Sequence, residues 1–208
     1  MYIKNYFYYF KAALSSSFCD ELIKYGNSKK ESVGAIGEDS TTSITFKQNI
    51  KKELRNSKIT WLNDPWIYNE ILPYVVEANK SAEWNYHWDW SEDCQFTKYS
   101  KGQFYDWHCD VFSVPYKSED KNFDGKIRKL SVTVNLTDPK EYSGGDLQFD
   151  FRNYNPEKRN KNKIITLKDA RAKGSIVVFP SYVWHRVTEV TKGTRYSLVI
   201  WNIGQPFK

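Results

Sequence analysis

The sequence has few cysteines and no long apolar segment. Its 208 residues include 3 cysteines, Cys19, Cys94 and Cys109, an odd number without a C-x-x-C spacing. This argues against a disulfide framework and against a cysteine-rich zinc site, and it favours a reducing compartment. No run of 18 apolar residues is present, so no membrane-spanning helix is predicted. We expect a cytoplasmic protein, of a bacterium or of the host cell of a virus.

The first residues have little resemblance to a secretion signal. The run from Tyr2 to Phe10 is rich in tyrosine and is followed by Lys11, which makes it a poor apolar signal core. A first strand is predicted there instead. The length favours one domain, 1–208, that is large enough for a sizeable core, and the 17% of aromatic residues argues against global disorder.

Acidic residues are fewer than basic ones, which gives a net charge of +6. Such a charge permits binding to an anionic partner such as nucleic acid, but it is also typical of an ordinary basic surface. The second interpretation is favoured here, and nucleic acid is not expected as a partner. No membrane partner is expected either.

Histidine is scarce, and its positions are informative. The chain has 3 histidines, and His108 is followed two residues later by Asp110. On a strand, residues i and i+2 face the same side, so this pair could offer an imidazole nitrogen and a carboxylate to one point. His185, where another strand-like segment begins, could be the third ligand. Two histidines and one carboxylate with open positions suit non-haem Fe(II).

A second H-x-D triplet, His87-Trp88-Asp89, tests this assignment. It alternates with aromatic residues, which predicts a strand over 84–90 and a structural role for His87. Each ligand candidate has an ordinary alternative: a satisfied polar pair for His108 and Asp110, and a partly buried histidine for His185.

Arg195 follows His185 by ten residues, after a Thr191-Lys192-Gly193 turn. Its strand would place Ser197, Val199 and Trp201 on the same face, which points the guanidinium inward. A buried arginine requires an anion, because an unpaired buried charge is costly. The planar guanidinium can donate two parallel hydrogen bonds, which suits the far carboxylate of a dicarboxylic co-substrate. A surface cation is the alternative.

The ordered set of H-x-D, a distal histidine and an arginine resembles the Fe(II)/2-oxoglutarate dioxygenases, in particular their prolyl 4-hydroxylase-like branch of bacterial or phage type. The resemblance implies a mainly β fold with flanking helices, a double-stranded β-helix or jelly roll over 84–208 supported by a helical region over 1–83. Four further segments carry the likeness: Gln95–Tyr99, Ser143–Leu147, Gly174–Pro180 and Arg195–Trp201.

The resemblance also implies a site. Fe(II) would be held by His108, Asp110 and His185, and 2-oxoglutarate by Arg195 with help from Tyr99, with O2 as the oxidant and ascorbate as a supporting reductant. Related halogenases replace the carboxylate, so Asp110 favours hydroxylation. The further candidates are Thr133 and Asn135 for the co-substrate pocket, and Trp201 and Tyr105 for substrate contact, with core packing as the alternative for the last two.

Hydroxylation of a prolyl residue in a peptide or protein, giving succinate and CO2, is the leading prediction. The alternatives are the same chemistry on a free amino acid or small metabolite, nucleic-acid demethylation, and a non-catalytic jelly-roll binding module. Demethylation is disfavoured because Trp201 stands where that branch usually carries a second arginine.

Local patterns predict the elements. Ser17 with Asp20 resembles the start of a helix to about Lys24 that Gly26 would end, and Asp64-Pro65 predicts a second helix start. Pro73 should kink or break that second helix into two pieces. The stretch after a short strand at 44–46 is predicted to be a solvated face, and substrate recognition is expected in the loops 111–128 and 153–163. Strands are predicted at 84–90, 94–101, 105–110, 128–138, 146–152, 163–167, 175–180, 184–190 and 194–203.

Overall fold

A computed structural model describes residues 5–34, 53–151 and 164–207. The predicted strand at 44–46 and the loop 153–163 lie outside these ranges. The described residues form two helices, α1 (Ser16–Ser28) and α2 (Pro65–Ser81), and the strands β1 (Tyr8–Phe10), β2 (Ser32–Val33), β3 (Arg55–Asn56), β4 (Lys58–Leu62), β5 (Trp90–Ser91), β6 (Cys94–Ser100), β7 (Phe104–His108), β8 (Ile127–Asn135), β9 (Tyr142–Gly144), β10 (Leu147–Asp150), β11 (Ile164–Thr166), β12 (Ile176–Pro180), β13 (Trp184–Val187) and β14 (Val190–Gly204).

The strands form two antiparallel sheets. The 9-stranded sheet has the order β1-β12-β8-β14-β6-β4-β2, with β5 and β9 also paired to β14, and the 5-stranded sheet has the order β11-β10-β13-β7-β3. This mainly β architecture with two supporting helices confirms the predicted fold class. Strands β1 to β4 come from the region 1–83, so this region contributes to both sheets as well as supplying the helices.

The larger sheet has two different faces because strand side chains alternate. Val132 and Ile200 belong to the main core, where they are grouped with Leu22 of α1 and Ile67 of α2. On β12, Val177 faces the other way and packs with Phe149 of the smaller sheet. One face of the larger sheet therefore rests on the helices, and the other closes against the second sheet.

The first helix starts and ends differently from the prediction. Ser15, not Ser17, is the N-cap, and its hydroxyl accepts a hydrogen bond from the Phe18 N–H at 3.1 Å. Gly26 lies inside the helix and does not end it. A Cβ at Gly26 would stand 2.5 Å from Cδ1 of Phe96, so this glycine permits close packing of α1 on β6.

The second helix begins at Pro65 after Asp64, as predicted, but it is a single element. The prediction of two pieces separated by Pro73 was wrong, because α2 continues through the proline to Ser81. Ile71 and Val75, on either side of Pro73, are both fully buried in the core. Tertiary packing of this apolar face offsets the loss of one helical hydrogen bond. Neither helix in the described ranges is long and apolar enough to cross a membrane.

The predicted strand over 84–90 was also wrong, since only Trp90 and Ser91 are in a strand. The side chain of Asn79 exchanges hydrogen bonds with the backbone of Tyr86, and the Asn79 carbonyl accepts from the N–H groups of Trp84 and Asn85. Asn85 has a φ of +53°, which an extended strand does not permit. His87 is exposed on this irregular segment.

Candidate metal and co-substrate site

The side chains of His108, Asp110 and His185 meet at the end of the smaller sheet. His108 on β7 pairs directly with His185 on β13. Asp110 lies in the bend after β7, rather than on the strand, and its N–H donates to the Ser181 carbonyl at 2.8 Å. One ligand atom from each of the three side chains lies within 4.8 Å of the others. Asp110 Oδ1 is 3.7 Å from His108 Nε2, and its Oδ2 is 3.6 Å from His185 Nε2.

Both imidazoles are oriented by backbone carbonyls. His108 Nδ1 lies 2.7 Å from the Asp106 carbonyl oxygen, and His185 Nδ1 lies 2.9 Å from that of Val183. Because a carbonyl only accepts, each Nδ1 carries the proton and donates it. Each Nε2 therefore keeps its lone pair on the side of Asp110, which is the arrangement that metal-binding histidines adopt.

Burial and neighbouring charges set the protonation states of His108 and Asp110 that a metal cation requires. Burial, assisted by His185, lowers the pKa of His108 to about 3. For Asp110, burial acts to raise the pKa, but His185, His108 and Arg128 outweigh it and the pKa is lowered. The imidazole of His108 is thus neutral and the carboxylate ionised at neutral pH, which are the forms that bind metals. Oδ2 of Asp110 is buried without a hydrogen-bond partner among the described residues, so this donor set fits a divalent metal such as Fe(II).

Arg195 is buried on β14, with 4% of its surface exposed. Its Nη1 has no hydrogen-bond partner in the described ranges, and its guanidinium carbon lies 5.7 Å from the centre of the Tyr99 ring. Gly145, at φ +64°, leaves space for this side chain, because a Cβ there would be 2.9 Å from Arg195 Cδ. A buried guanidinium in this position fits a carboxylate ligand.

A pocket against Arg195 is lined by both predicted co-substrate candidates on β8, Thr133 and Asn135. The Asn135 amide is already engaged, because Nδ2 donates to the carbonyls of Thr137 and Arg171 at 2.8 and 2.6 Å. Its Oδ1 accepts from the Tyr142 hydroxyl at 3.3 Å. Asn135 therefore holds the pocket wall in place, whereas Tyr99 lies beneath Arg195 and not in the lining.

Tyr105 and Trp201, the two substrate-contact candidates, have different surroundings. The Tyr105 ring stacks on His108 with centroids 3.5 Å apart, and burial raises the pKa of its hydroxyl to about 12. Trp201 is 6% exposed and lies 6.2 Å from the half-exposed Trp61. The Arg128 guanidinium covers the Trp201 ring at 3.9 Å.

Sequence reasoning missed a buried ion pair next to Asp110. Arg128 donates from Nε and Nη2 to the two carboxylate oxygens of Glu92, at 2.7 and 2.6 Å, and the Tyr116 hydroxyl also donates to Glu92 at 2.7 Å. Nη1 of Arg128 reaches the Asp110 carbonyl at 3.4 Å. The only signal in the sequence was the presence of charged residues in otherwise buried strand patterns.

Arg55 was also missed, because its surroundings were predicted to be a solvated face. It is 4% exposed, its Nε donates to the Ser57 hydroxyl at 3.0 Å, and its guanidinium lies 4.5 Å from the Tyr105 ring centre. Strand β3 pairs with β7 at Tyr105, which brings Arg55 to the site. That prediction was wrong because a two-residue strand leaves too little pattern to detect.

Comparison with known proteins agrees with this geometry. The family model described as the 2OG-Fe(II) oxygenase superfamily matches residues 94–202. A PKHD-type hydroxylase of Prochlorococcus marinus is 35% identical over 168 residues, covering 77% of this chain and 63% of the relative. A PKHD-type hydroxylase of Sphingopyxis alaskensis is 32% identical over 100 residues, covering 48% of this chain and 38% of the relative. The chain thus spans less than two thirds of the length of these relatives.

Two solved structures share the fold over nearly the whole chain. One is the viral collagen prolyl hydroxylase of Paramecium Bursaria Chlorella virus-1, with a TM-score of 0.65, 20% identity and 97% coverage of both chains. The other is a Pseudomonas putida prolyl-4-hydroxylase, with a TM-score of 0.65, 16% identity, and coverage of 98% of this chain and 95% of the other. These matches identify the two sheets as a jelly roll.

Proposed function

Because the chain belongs to the 2OG-Fe(II) oxygenase superfamily, we propose that it hydroxylates prolyl residues in a peptide or protein. The enzyme is a dioxygenase whose family implies Fe(II), 2-oxoglutarate and O2. The observation that carries the proposal is the buried cluster of His108, Asp110 and His185, accompanied by the buried cation Arg195. Succinate and CO2 would be the co-products.

We assign the metal to the two histidine Nε2 atoms and the Asp110 carboxylate. Iron bound there would supply the activation of O2, since this ligand set leaves coordination positions open. The carbonyls of Asp106 and Val183 hold the imidazoles in the tautomer that this requires. Arg195 would bind the far carboxylate of 2-oxoglutarate, and Thr133 would face it in the same pocket.

Several observations favour a polypeptide substrate. Trp201, covered by Arg128, lies beside the half-exposed Trp61, and flat aromatic rings pack well against a pyrrolidine ring. The two substrate-contact candidates are each covered by a guanidinium group, Trp201 by Arg128 and Tyr105 by Arg55. The names of the two solved structures, a collagen prolyl hydroxylase and a prolyl-4-hydroxylase, point the same way.

The test is succinate formation from 2-oxoglutarate with Fe(II), with and without proline-containing peptides, and with ascorbate varied separately. A matched pair of variants separates the site from the fold: His108→Ala at the cluster, and His87→Ala at the exposed second H-x-D triplet. We expect peptide-stimulated succinate and the gain of one oxygen atom on proline, lost in His108→Ala and retained in His87→Ala. Equal activity of the two variants would contradict the assigned site.

Free proline and other free amino acids form the second arm of the assay. Hydroxylation of a free amino acid without any effect of peptides would assign the enzyme to small-metabolite hydroxylation and overturn the peptide proposal. Succinate formed at the same rate with every peptide would keep the dioxygenase and exclude those peptides as substrates.

A further inference from the structure

A second cavity lies away from the metal cluster, on the α2 side of the larger sheet. Its volume is about 700 Å³, and three aromatic side chains line it: Tyr68 from α2, and Trp88 and Trp90 from the segment before β6. Asp89 and Asp93 line the same cavity. We call this cavity the aromatic groove. None of the catalytic or co-substrate candidates contributes to it.

The charge of the aromatic groove is opposite to that of the chain. The protein carries a net charge of +6, yet no lysine or arginine is among the residues that line the groove. No ion pair within the described residues involves Asp93, and burial, with the charge of Glu92 as a second cause, raises its pKa. Asp89 is paired with Lys126 at 2.7 Å on one side and remains 59% exposed. The groove therefore offers negative charge to a ligand.

Aromatic rings combined with carboxylates select cations that have an apolar stem. A ring face attracts an ammonium or guanidinium group through the ring quadrupole, and more strongly where the group is desolvated. The apolar walls accommodate the methylene groups of a lysine or arginine side chain. A neutral or anionic side chain would gain nothing from Asp93.

The groove is connected to the substrate-contact candidates through the backbone. β5 pairs with β14 at Ile203 and Asn202, and the Glu92 N–H donates to the Trp201 carbonyl at 2.9 Å. The segment that lines the groove is thus hydrogen-bonded to Trp201. β5, which carries Trp90 of the groove, is therefore joined directly to the strand that carries Trp201.

We propose that the aromatic groove binds a lysine or arginine side chain of the polypeptide substrate, at a position in its sequence outside the hydroxylated residue. The inference rests on the proposed function in so far as the bound polypeptide is the substrate. Its binding step can be tested without catalysis, so the failure of one proposal is distinguishable from the failure of the other.

The binding test uses a fluorescently labelled, proline-free peptide of glycine, serine and lysine, and a matched peptide with norleucine in place of lysine. Fluorescence anisotropy gives Kd for the wild type, Asp93→Asn and Trp90→Ala. The control variants are Glu70→Gln and Val76→Ala, both at exposed positions on α2. We expect the lysine peptide alone to bind, and each groove variant to weaken it by about tenfold, whereas the controls do not.

The kinetic test compares two proline-containing peptides that differ only by lysine or norleucine. In Asp93→Asn, KM for the lysine peptide should rise by about the same factor as Kd while kcat stays unchanged, and KM for the norleucine peptide should not move. Unchanged Kd and KM in both groove variants would overturn the inference, as would binding of free spermidine without binding of the peptide. If the lysine peptide binds, the groove variants weaken this binding and proline is not hydroxylated, the proposed function would be overturned and the inference about the aromatic groove would be retained.

Discussion

The two faces of β8 and β14 differ in chemistry although they belong to the same strands. Towards the helices, both strands present mainly aliphatic side chains; towards the smaller sheet, they present several hydroxyl, amide and guanidinium groups. Both sets are buried, except that Thr133 is partly exposed. The first set is Leu130, Val132, Val134, Leu198 and Ile200, and the second is Ser131, Thr133, Asn135, Arg195 and Ser197.

This difference shows where stability and chemistry reside. Burying aliphatic side chains is favourable, whereas burying polar groups costs free energy unless each finds a partner. Ser131 has its partner in the Ser181 hydroxyl at 2.9 Å, and Asn135 has three. Arg195 Nη1 and Asp110 Oδ2 have none in the described ranges, and these are the groups assigned to ligands. The aliphatic face of the sheet thus contributes stability. The site on the polar side holds two groups that are unpaired within the described residues, Arg195 Nη1 and Asp110 Oδ2, whose partners would be the bound co-substrate and metal.

The largest expected effect of a change on the polar side is that of Asp110→Ala. Turnover should fall to background, because removal of the carboxylate leaves only the two imidazoles as ligands. The metal-free protein should also lose stability at neutral pH, because the lowered pKa of Asp110 shows that the fold favours its ionised form. Succinate formation and the unfolding temperature check both parts. Wild-type turnover in this variant would remove Asp110 from the proposed ligand set.

Leu198→Ala tests the aliphatic side. Leu198 is fully buried, so the free energy of unfolding should fall by about 2–5 kcal/mol. KM for 2-oxoglutarate should stay unchanged at a temperature where the variant is folded. Denaturant unfolding and substrate kinetics on the same preparation provide the measurement. A change in KM without a loss of stability would show that the two faces are not independent.

Arg195→Ala tests the polar side without touching the metal ligands. KM for 2-oxoglutarate should rise by about tenfold to a hundredfold, because a hydrogen bond to a charged group contributes about 1.5–3 kcal/mol. Lys192→Ala, an exposed cation on the same strand, serves as the control for lost charge. An equal KM in the two variants would place the co-substrate anchor elsewhere.

The last expected effect concerns the acid stability of the metal-free protein. The folded-state pKa of His108 is about 3 against an ordinary value of 6.5, so between these pH values the unfolded state binds one more proton. The contribution of His108 to stability is therefore present above pH 6.5 and is lost as the pH falls towards 3. His108→Gln should unfold at a temperature that depends less on pH in this window, whereas His87→Gln should follow the wild type. Parallel curves for all three proteins would exclude the effect.

The site candidates could be named from the sequence because they form an ordered motif with fixed spacing. His108, Asp110, His185 and Arg195 all lie on or next to strands of the core, where the structure brings the first three together and buries the fourth. The position of Asp110 in a bend, held by the Ser181 carbonyl, did not follow from strand alternation.

The missed features have in common that they depend on partners distant in the sequence. The Glu92 and Arg128 pair is joined only when β8 packs beside the segment before β6. Likewise, the Asn79 side chain occupies the N–H and carbonyl groups of Tyr86, which are then not available for pairing with a strand. The alternation of polar and aromatic residues around Tyr86 nevertheless predicts a strand. Such cases require knowledge of the contacts themselves, which local patterns do not contain.

The length of β14 has a consequence for how the protein is made. This strand pairs with β5, β6, β8 and β9, all of which precede it by a long stretch of chain. The larger sheet therefore cannot close on a nascent chain until β14 has left the ribosome, and folding dominated by such distant pairings takes milliseconds to seconds. Arg195 lies on this strand. Iron and 2-oxoglutarate are thus expected to bind only after β14 has joined the larger sheet.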